Sequence, residues 1–194
     1  MMIKDWKKDI FTIPNLFSLF RLLLIPVYVM IYISAKKPED YYLAAAILAV
    51  SCITDLVDGK IARYYNMVST VGKILDPFAD KATQFTLILC LAIRKPIIRS
   101  LVVLFVIKEI FQLVAGWISI RKGRILKGAL FSGKLCTTVL FISLTLLVML
   151  PDLSDWVITI VTVIDLIFLS IAFVDYIVTY YKRDNKFQKI SETK

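Results

Sequence analysis

Long apolar stretches separated by short polar ones form the dominant pattern of this chain of 194 residues. Each stretch is close to the ~20 residues that an α-helix needs to cross ~30 Å of hydrocarbon. The six stretches cover residues 14–34, 41–63, 69–93, 100–120, 131–150 and 156–181. Since the connections are short, consecutive helices are expected to pack as antiparallel neighbours. The pattern therefore predicts an all-α integral membrane protein built as a six-transmembrane-helix bundle.

The first eleven residues carry a shorter pattern of a different kind. Ile3, Trp6 and Ile10 recur at helical spacing, and three lysines lie between them. Such a segment binds at the membrane surface, so residues 1–11 are predicted to form a short N-terminal interfacial amphipathic helix. No linker-like stretch interrupts the chain. We expect a single membrane domain, in which residues 12–181 hold the six spans and residues 182–194 form a polar cytoplasmic tail.

Composition agrees with a membrane protein and narrows the chemistry. Hydrophobic residues make up 59% of the chain, whereas soluble domains average roughly 45–50%. There is no histidine, which excludes imidazole metal sites and histidine-based acid–base catalysis. The three cysteines all lie inside apolar runs, as expected of reduced core residues rather than of a disulfide framework.

The charge distribution indicates how the chain is oriented. The net charge is +9, but the basic residues lie in short loops between apolar spans. Anionic lipid surfaces and phosphate-bearing substrates therefore explain them better than nucleic acid does. With the N-terminus inside, sixteen of the 24 Lys and Arg residues fall in cytoplasmic segments and five in the opposite loops. The positive-inside rule thus predicts a multi-pass protein of the cytoplasmic membrane, with both termini and the turn between spans two and three on the cytoplasmic side.

Four carboxylates concentrate around that turn, within residues 55–80, DLVDGKIARYYNMVSTVGKILDPFAD. Asp55 and Asp58 are three residues apart, and Asp76 and Asp80 are four apart, so each pair lies on one face of its own helix. Ionisable groups beside apolar spans are costly and indicate function. Converging carboxylates repel one another unless cations neutralise them, and oxygen ligands without His or Cys favour Mg²⁺, or else Mn²⁺ or Ca²⁺. Two such ions could clamp the attacking and leaving oxygens of a phosphoryl displacement.

The spacing in this segment resembles the signature of the CDP-alcohol phosphatidyltransferases. All eight fixed positions of that signature are filled, by Asp55, Asp58, Gly59, Ala62, Arg63, Gly72, Asp76 and Asp80. The resemblance implies a membrane enzyme of phospholipid biosynthesis. Such an enzyme moves a phosphatidyl group from CDP-diacylglycerol to an alcohol and releases CMP. The resemblance also implies a homodimer.

The resemblance further implies roles for the four aspartates. Asp80, the last of them, would accept the proton of the attacking alcohol. Asp55, Asp58, Asp76 and Asp80 would ligate Mg²⁺ or Mn²⁺, two ions being the expected number. Asp80 would thus serve both as the base and as a metal ligand.

The implied binding site for CDP-diacylglycerol comprises Asp55, Asp58, Gly59, Ala62, Arg63 and Gly72. Gly59 and Ala62 would let the cytidine approach the helix backbone, because their side chains are small. Arg63 would hold the pyrophosphate or the nucleotide through charge-assisted hydrogen bonds. For Gly72, tight packing of helices is as good an explanation as substrate contact.

Two further segments bear on the acceptor alcohol. TIPNLFSLFRLLLIP at 12–26 and LDPFADK at 75–81 resemble the branch that contains the phosphatidylglycerophosphate synthases and the cardiolipin synthases. Glycerol 3-phosphate is therefore the leading hypothesis for the acceptor. The alternative is phosphatidylglycerol, the acceptor of a cardiolipin synthase of the same fold. A hypothesis of another class is a divalent-cation channel or transporter lined by the same carboxylates.

A phosphorylated acceptor requires additional cations, and the candidates are Arg21, Lys108, Arg121 and Lys134. Arg21 and Lys108 lie within apolar spans, where a buried charge indicates function. Lys134 lies where the branch just named places a lysine. Lys108 precedes Glu109, so a mutually neutralised structural pair is the competing interpretation of that residue.

Overall fold

The computed structural model of the protein describes residues 12–64, 71–121 and 131–192. The side chains of residues 13, 14, 55–64, 73, 74 and 183–192 lie outside the described set. All regular structure in these ranges is helical. The six α-helices are α1 at Ile13–Ser34, α2 at Pro38–Tyr64, α3 at Gly72–Arg94, α4 at Arg99–Arg121, α5 at Phe131–Met149 and α6 at Asp155–Glu192. A short 3₁₀ helix at Pro96–Ile98 precedes α4.

The all-helical prediction is confirmed, and the helices begin and end close to the predicted apolar stretches. The clearest difference is α6, which continues to Glu192, although the apolar pattern ends near residue 181. Lys, Arg, Gln and Glu are good helix formers, so a helix can continue where its membrane-compatible part ends. The predicted interfacial helix at 1–11 lies outside the described residues.

Four helical segments are long and apolar enough to cross a membrane within the described part of the chain: Asn15–Ser34, Pro96–Arg121, Phe131–Met149 and Asp155–Lys182. α2 and α3 are long enough but carry more charge. In α3, for example, Asp76, Asp80 and Lys81 fall within three turns. The predicted count of six spans therefore stays a prediction, whereas a multi-pass membrane protein is supported by these four segments.

Side-chain exposure along α1 is the reverse of that in a water-soluble helix. Leu23 and Met30 point outward and are largely exposed, whereas Asn15, Ser18 and Arg21 are buried. Lipid tails are as apolar as leucine, so an outward apolar face is satisfied in a bilayer and polar groups must find partners inside the protein. This inversion is typical of a membrane-embedded helix.

The chain divides into two compact units, Met1–Arg94 with Leu144–Leu153, and Lys95–Ser143 with Ser154–Lys194. In the first unit α1 packs against both α2 and α3. In the second unit α4 packs against α6 and the 3₁₀ helix. The prediction of a single membrane domain stays a prediction.

Arg94, the last residue of α3, closes one end of the first unit. Its guanidinium donates hydrogen bonds to the carbonyls of Tyr32 (3.1 Å), Ile33 (3.3 Å) and Ala35 (3.0 Å). The same group lies 5.4 Å from the ring centroid of Tyr32 and 5.2 Å from that of Tyr41. The last carbonyls of a helix have no partner within that helix. Arg94 therefore caps α1 and ties its end to α3 and to the start of α2.

Asp40 stabilises the first turn of α2. Its Oδ2 accepts hydrogen bonds from the backbone N–H groups of Lys36 (2.9 Å) and Lys37 (3.1 Å). These bonds favour the ionised carboxylate, so they hold the pKa of Asp40 below its usual range. A carboxylate near a helix N-terminus also interacts favourably with the helix dipole.

Two serine–aspartate contacts join α5 to α6 within the second unit. Ser143 Oγ lies 2.9 Å and 2.7 Å from the two carboxylate oxygens of Asp165, which is fully buried. Three turns earlier on α5, Ser132 donates to Asp175, which is partly exposed. Each contact gives an acidic side chain in an apolar helix a hydrogen-bond donor from the neighbouring helix.

Aromatic packing joins α4 to α6 in the same unit. The ring of Phe111 meets those of Phe173, Tyr176 and Tyr180 edge-on, at centroid distances of 5.5, 6.1 and 6.2 Å. Edge-to-face contacts of this kind stabilise beyond the apolar area they bury. The cluster runs along about two turns of α6 and fixes how α4 faces it.

Replacing Arg94 with Met should lower the stability of the purified protein in detergent. Methionine has a side chain of similar length to that of arginine. It cannot donate the hydrogen bonds to the carbonyls, and it lacks the positive charge that lies near the two tyrosine rings. We expect the free energy of unfolding to fall by about 2 kcal/mol, measured by denaturant titration. Lys37→Met is the matched control, because the hydrogen bond from Lys37 to Asp40 uses the backbone N–H. Equal stability of the two variants would contradict the capping role.

Replacing Ser143 with Ala should destabilise the protein more than replacing Ser132 with Ala. Ser143→Ala removes the donor to a fully buried carboxylate, and leaving such a group unsatisfied costs about 1–3 kcal/mol. In Ser132→Ala, the carboxylate of Asp175 is partly exposed and lies two turns from the end of the apolar segment at Lys182, so it can find a partner at the membrane surface. Thermal unfolding in the same detergent compares the two variants. Equal losses, or a greater loss for Ser132→Ala, would show that burial of Asp165 does not decide the effect.

Candidate active site

Asp76 and Asp80 lie in the first two to three turns of α3, on one face of the helix as their spacing predicted. Asp76 is partly buried, and 47% of the Asp80 side chain is exposed. The helix continues through Pro77. The two carboxylates thus stand one turn apart, with Asp80 the more accessible.

α1 supplies a hydrogen-bond donor to each of these carboxylates. Ser18 Oγ donates to Asp76 Oδ1, and Arg21 Nη1 donates to Asp80 Oδ1. Ser18 is fully buried, and only 3% of the Arg21 side chain is exposed. The three-residue spacing of the donors places them on one face of α1. α1 therefore reaches two adjacent turns of α3 with matched donors.

Arg21 was predicted as a site residue from the sequence, whereas Ser18 and Asn15 were not. All three are polar, recur every three residues in an otherwise apolar span, and are buried. This recurrence could have identified Ser18 and Asn15 from the sequence, because polar residues at helical spacing in a membrane span mark the face turned to the protein interior. It does not reveal which neighbouring helix carries their partners.

The other half of the predicted acidic cluster lies on α2. The backbone of α2 is helical through Tyr64, but the side chains of Asp55, Asp58, Gly59, Ala62 and Arg63 lie outside the described residues. That the Asp55–Asp58 pair faces α3 therefore stays a prediction. Gly72, the first residue of α3, is buried.

Lys108 is the most deeply buried of the other acceptor-site candidates, with 3% of the residue exposed. Its ammonium lies 2.7 Å from Glu109 Oε1 and 3.3 Å from Gln112 Oε1. It also lies 5.9 Å from the ring centroid of Phe105. Lys108 shares the buried face of α4 with Leu101, Phe105, Ala115 and Ser119. The charge pair with Glu109 that the sequence suggested is thus present.

Arg121 and Lys134 are both exposed. Arg121 ends α4, and its guanidinium lies 5.1 Å from the ring centroid of Trp117. Lys134 lies in the first turn of α5, where its carbonyl accepts hydrogen bonds from Thr137 (2.9 Å) and Thr138 (3.0 Å). Exposed cations at helix ends are suited to anionic headgroups and to phosphate ligands alike.

The atoms of Asp76 and Asp80 that could ligate a metal are all carboxylate oxygens, which suit a hard divalent cation such as Mg²⁺. Within residues 12–64, 71–121 and 131–192, no described group of three or more acidic or thiol side chains comes together. Of the four predicted metal ligands, Asp76 and Asp80 are the two whose side chains are described. Each carboxylate accepts a hydrogen bond, from Ser18 or from Arg21. Since a carboxylate has about four lone-pair sites, each still has lone pairs that could bind a metal ion.

Comparison with known proteins gives a consistent result across most of the chain. A model of the CDP-alcohol phosphatidyltransferase family matches residues 11–174. An Aquifex aeolicus protein named CDP-diacylglycerol–glycerol-3-phosphate 3-phosphatidyltransferase is 30% identical over 178 residues, which cover 88% of this chain and 96% of that protein. A Streptomyces coelicolor cardiolipin synthase (CMP-forming) is 31% identical over 150 residues, covering 76% of this chain and 69% of that protein.

A third relative is a much longer protein. The cardiolipin synthase (CMP-forming)/mitochondrial hydrolase fusion protein of Schizosaccharomyces pombe is 38% identical over 110 residues. The aligned region covers 56% of this chain but only 18% of the fusion protein. The similarity to that relative therefore concerns one part of it.

Proposed function

Because the chain belongs to the CDP-alcohol phosphatidyltransferase family, we propose that it transfers a phosphatidyl group from CDP-diacylglycerol to an alcohol and releases CMP. The structural observation that carries this proposal is the Asp76–Asp80 pair, one turn apart on α3 and held by donors from α1. The pair lies inside the matched region and completes the signature that begins at Asp55. A partly exposed carboxylate such as Asp80 is accessible to a substrate hydroxyl.

Glycerol 3-phosphate is the acceptor we propose first, which would give phosphatidylglycerophosphate. The Aquifex relative, whose name specifies this acceptor, aligns over nearly its whole length. Phosphatidylglycerol is the second candidate, because the Streptomyces relative is named a cardiolipin synthase and is equally similar in sequence. Both reactions use the same donor and release the same nucleotide.

In the proposed reaction the acceptor hydroxyl attacks the phosphorus that carries the diacylglycerol. A new P–O bond forms, the pyrophosphate P–O bond to CMP breaks, and Asp80 accepts the hydroxyl proton. Members of this family generally depend on a divalent metal. The ions we propose are two Mg²⁺ or Mn²⁺ held by Asp55, Asp58, Asp76 and Asp80, which would neutralise charge on the pyrophosphate and the departing CMP.

The donor-binding residues are proposed from the signature positions. Gly59 and Ala62 would leave room for the cytidine beside α2, and Arg63 would hold the pyrophosphate by charge-assisted hydrogen bonds. Gly72 would either contact the donor or permit close helix packing at the start of α3.

For a phosphorylated acceptor we propose contacts from Lys108, Arg121 and Lys134. Lys108 is the strongest of the three, since a buried ammonium in an apolar span is costly. Glu109 and Gln112 orient its ammonium, and the phosphate of the acceptor would replace or join them. Arg21, the fourth candidate, is engaged with Asp80.

We propose that α2 and α3 also cross the bilayer, giving six spans in one membrane domain. Their charged ends, which carry the signature aspartates, would lie at the cytoplasmic surface of the cell membrane together with both termini. Donor and product nucleotides would then exchange with the cytosol. A homodimer is proposed from the family resemblance.

The reaction is tested with purified protein, Mg²⁺, CDP-diacylglycerol and one alcohol at a time. We expect CMP release that depends on glycerol 3-phosphate, because this acceptor fits both the signature and the Aquifex relative. Release that depends on phosphatidylglycerol instead would support the cardiolipin synthase alternative. Asp80→Asn is the control for the base, since it should abolish turnover while leaving donor binding largely intact.

Absence of CMP release with either alcohol would contradict both proposed acceptors, and absence with every alcohol tried would contradict the proposed transferase. Normal turnover in Asp80→Asn would exclude that residue as the base even if the wild-type protein is active. Both outcomes are read from the same quantity, the CMP released per protein molecule.

Lys108→Ala should raise the KM for glycerol 3-phosphate with little change in the KM for CDP-diacylglycerol. The substitution removes an ammonium that would bind a phosphate carried only by the acceptor, and losing such a charge-assisted contact costs about 1.5–3 kcal/mol. Steady-state kinetics measure both constants. Lys95→Ala is the control, because it removes a partly exposed cation whose ammonium lies 3.4 Å from the exposed carboxylate of Asp155. An unchanged KM for the acceptor would place Lys108 in a purely structural role.

A further inference from the structure

Arg21 approaches Asp80 from the buried side of the carboxylate. The Arg21 side chain is 3% exposed, whereas that of Asp80 is 47% exposed. A cation inside an apolar span is stable only when a nearby anion neutralises it. The charge-assisted hydrogen bond between Nη1 and Oδ1 provides this neutralisation. The exposed part of Asp80 is therefore the part that a substrate or an ion can approach.

Ser18 repeats this arrangement one turn earlier. It is fully buried and donates to Asp76 Oδ1. Two donors on adjacent turns of α1 thus meet two acceptors on adjacent turns of α3. Because the two contacts lie on successive turns along the helix axes, they fix the rotation of α1 relative to α3 and the direction of both carboxylates.

We propose that Arg21 is a positioning residue that holds Asp80 and adds a fixed positive charge to the acidic cluster, rather than a ligand for the acceptor's phosphate. The inference rests on the proposed function, because the cluster matters only if its carboxylates bind a divalent ion and substrate. It replaces the acceptor-binding role that the sequence suggested for Arg21.

A fixed cation in contact with Asp80 opposes the binding of a second cation at the same carboxylate. Removal of the Arg21 guanidinium should therefore tighten the binding of a divalent ion. Its removal should also slow turnover, because a misplaced catalytic group loses its alignment with the substrate. Tighter ion binding together with slower turnover separates this role from general damage to the fold, which weakens both.

The test uses the full-length protein in detergent, with Mn²⁺ alone as the probe and free Mn²⁺ counted by electron paramagnetic resonance. Arg21→Met should bind Mn²⁺ roughly tenfold more tightly than the wild type, because a like charge is removed. Arg21→Lys keeps the charge and should bind Mn²⁺ as the wild type does. In CMP-release assays, Arg21→Met should lower kcat about 10²-fold with an unchanged KM for the acceptor, and Arg21→Lys should recover part of that loss.

Arg94→Met is the matched control. It removes an arginine that joins the same two helices at the far end of α3. We expect this variant to be less stable but to bind Mn²⁺ with wild-type affinity. A change in Mn²⁺ affinity equal to that of Arg21→Met would overturn the inference, because loss of stability alone would then explain both.

Two further results would overturn it. One is unchanged or weaker Mn²⁺ binding in Arg21→Met. The other is a raised KM for glycerol 3-phosphate without a fall in kcat, in Arg21→Met or, if that variant does not fold, in Arg21→Lys; this result would assign Arg21 to the acceptor. Failure of the wild type to release CMP with any alcohol would instead refute the proposed function, and the Mn²⁺ titration would still test Arg21.

Discussion

Polar and charged side chains inside an apolar helix must be satisfied by the protein itself, and this constraint shapes both units of the structure. The bilayer offers no water to a buried carboxylate or guanidinium. Arg21 is therefore found against Asp80, Lys108 against Glu109, and Asp165 against a serine. Each of these contacts is short-ranged and directional, in contrast to the apolar surface around it, which fits lipid in any orientation. The two contacts that join different helices, Arg21 with Asp80 and Ser143 with Asp165, consequently help to decide which helix faces which.

The first unit shows how two such contacts hold a helix pair at both ends. Arg21 extends from α1 to α3 at one end, and Arg94 extends from α3 to the carbonyls of α1 at the other. The exchange is reciprocal, with one arginine from each helix. A helix pair fixed at both ends is a suitable support for a site whose carboxylates need a constant separation.

The sequence predicted the helices well, because the apolar pattern reflects the thickness of the bilayer and is local. It also predicted that Asp76 and Asp80 share a face of one helix, since four-residue spacing requires this. It did not indicate that α6 continues beyond its apolar segment to Glu192, because loss of hydrophobicity marks the edge of the membrane and not the end of a helix. The family, inferred from eight spaced residues, is confirmed by the match over residues 11–174.

What the sequence did not predict were the partners of the buried polar groups. Arg21 stood out as a charge in an apolar span, yet nothing in its spacing identified Asp80, 59 residues away. Ser18 gave only a weak signal, since a single serine is common in membrane helices. The carbonyl cap by Arg94 depends on where two helices end in space, which single-helix periodicity does not contain. Lys108 was the exception, because its partner Glu109 is adjacent in sequence.

The pair of serine–aspartate contacts between α5 and α6 has a consequence for biosynthesis. The serines are eleven residues apart and the aspartates ten, so a slip of one helix by a single residue would misalign both contacts at once. If α6 entered the lipid alone, the carboxylate of Asp165 would lie deep in hydrocarbon with no donor from α5. We therefore expect the two helices to leave the translocation machinery together, as a hairpin already in its final register.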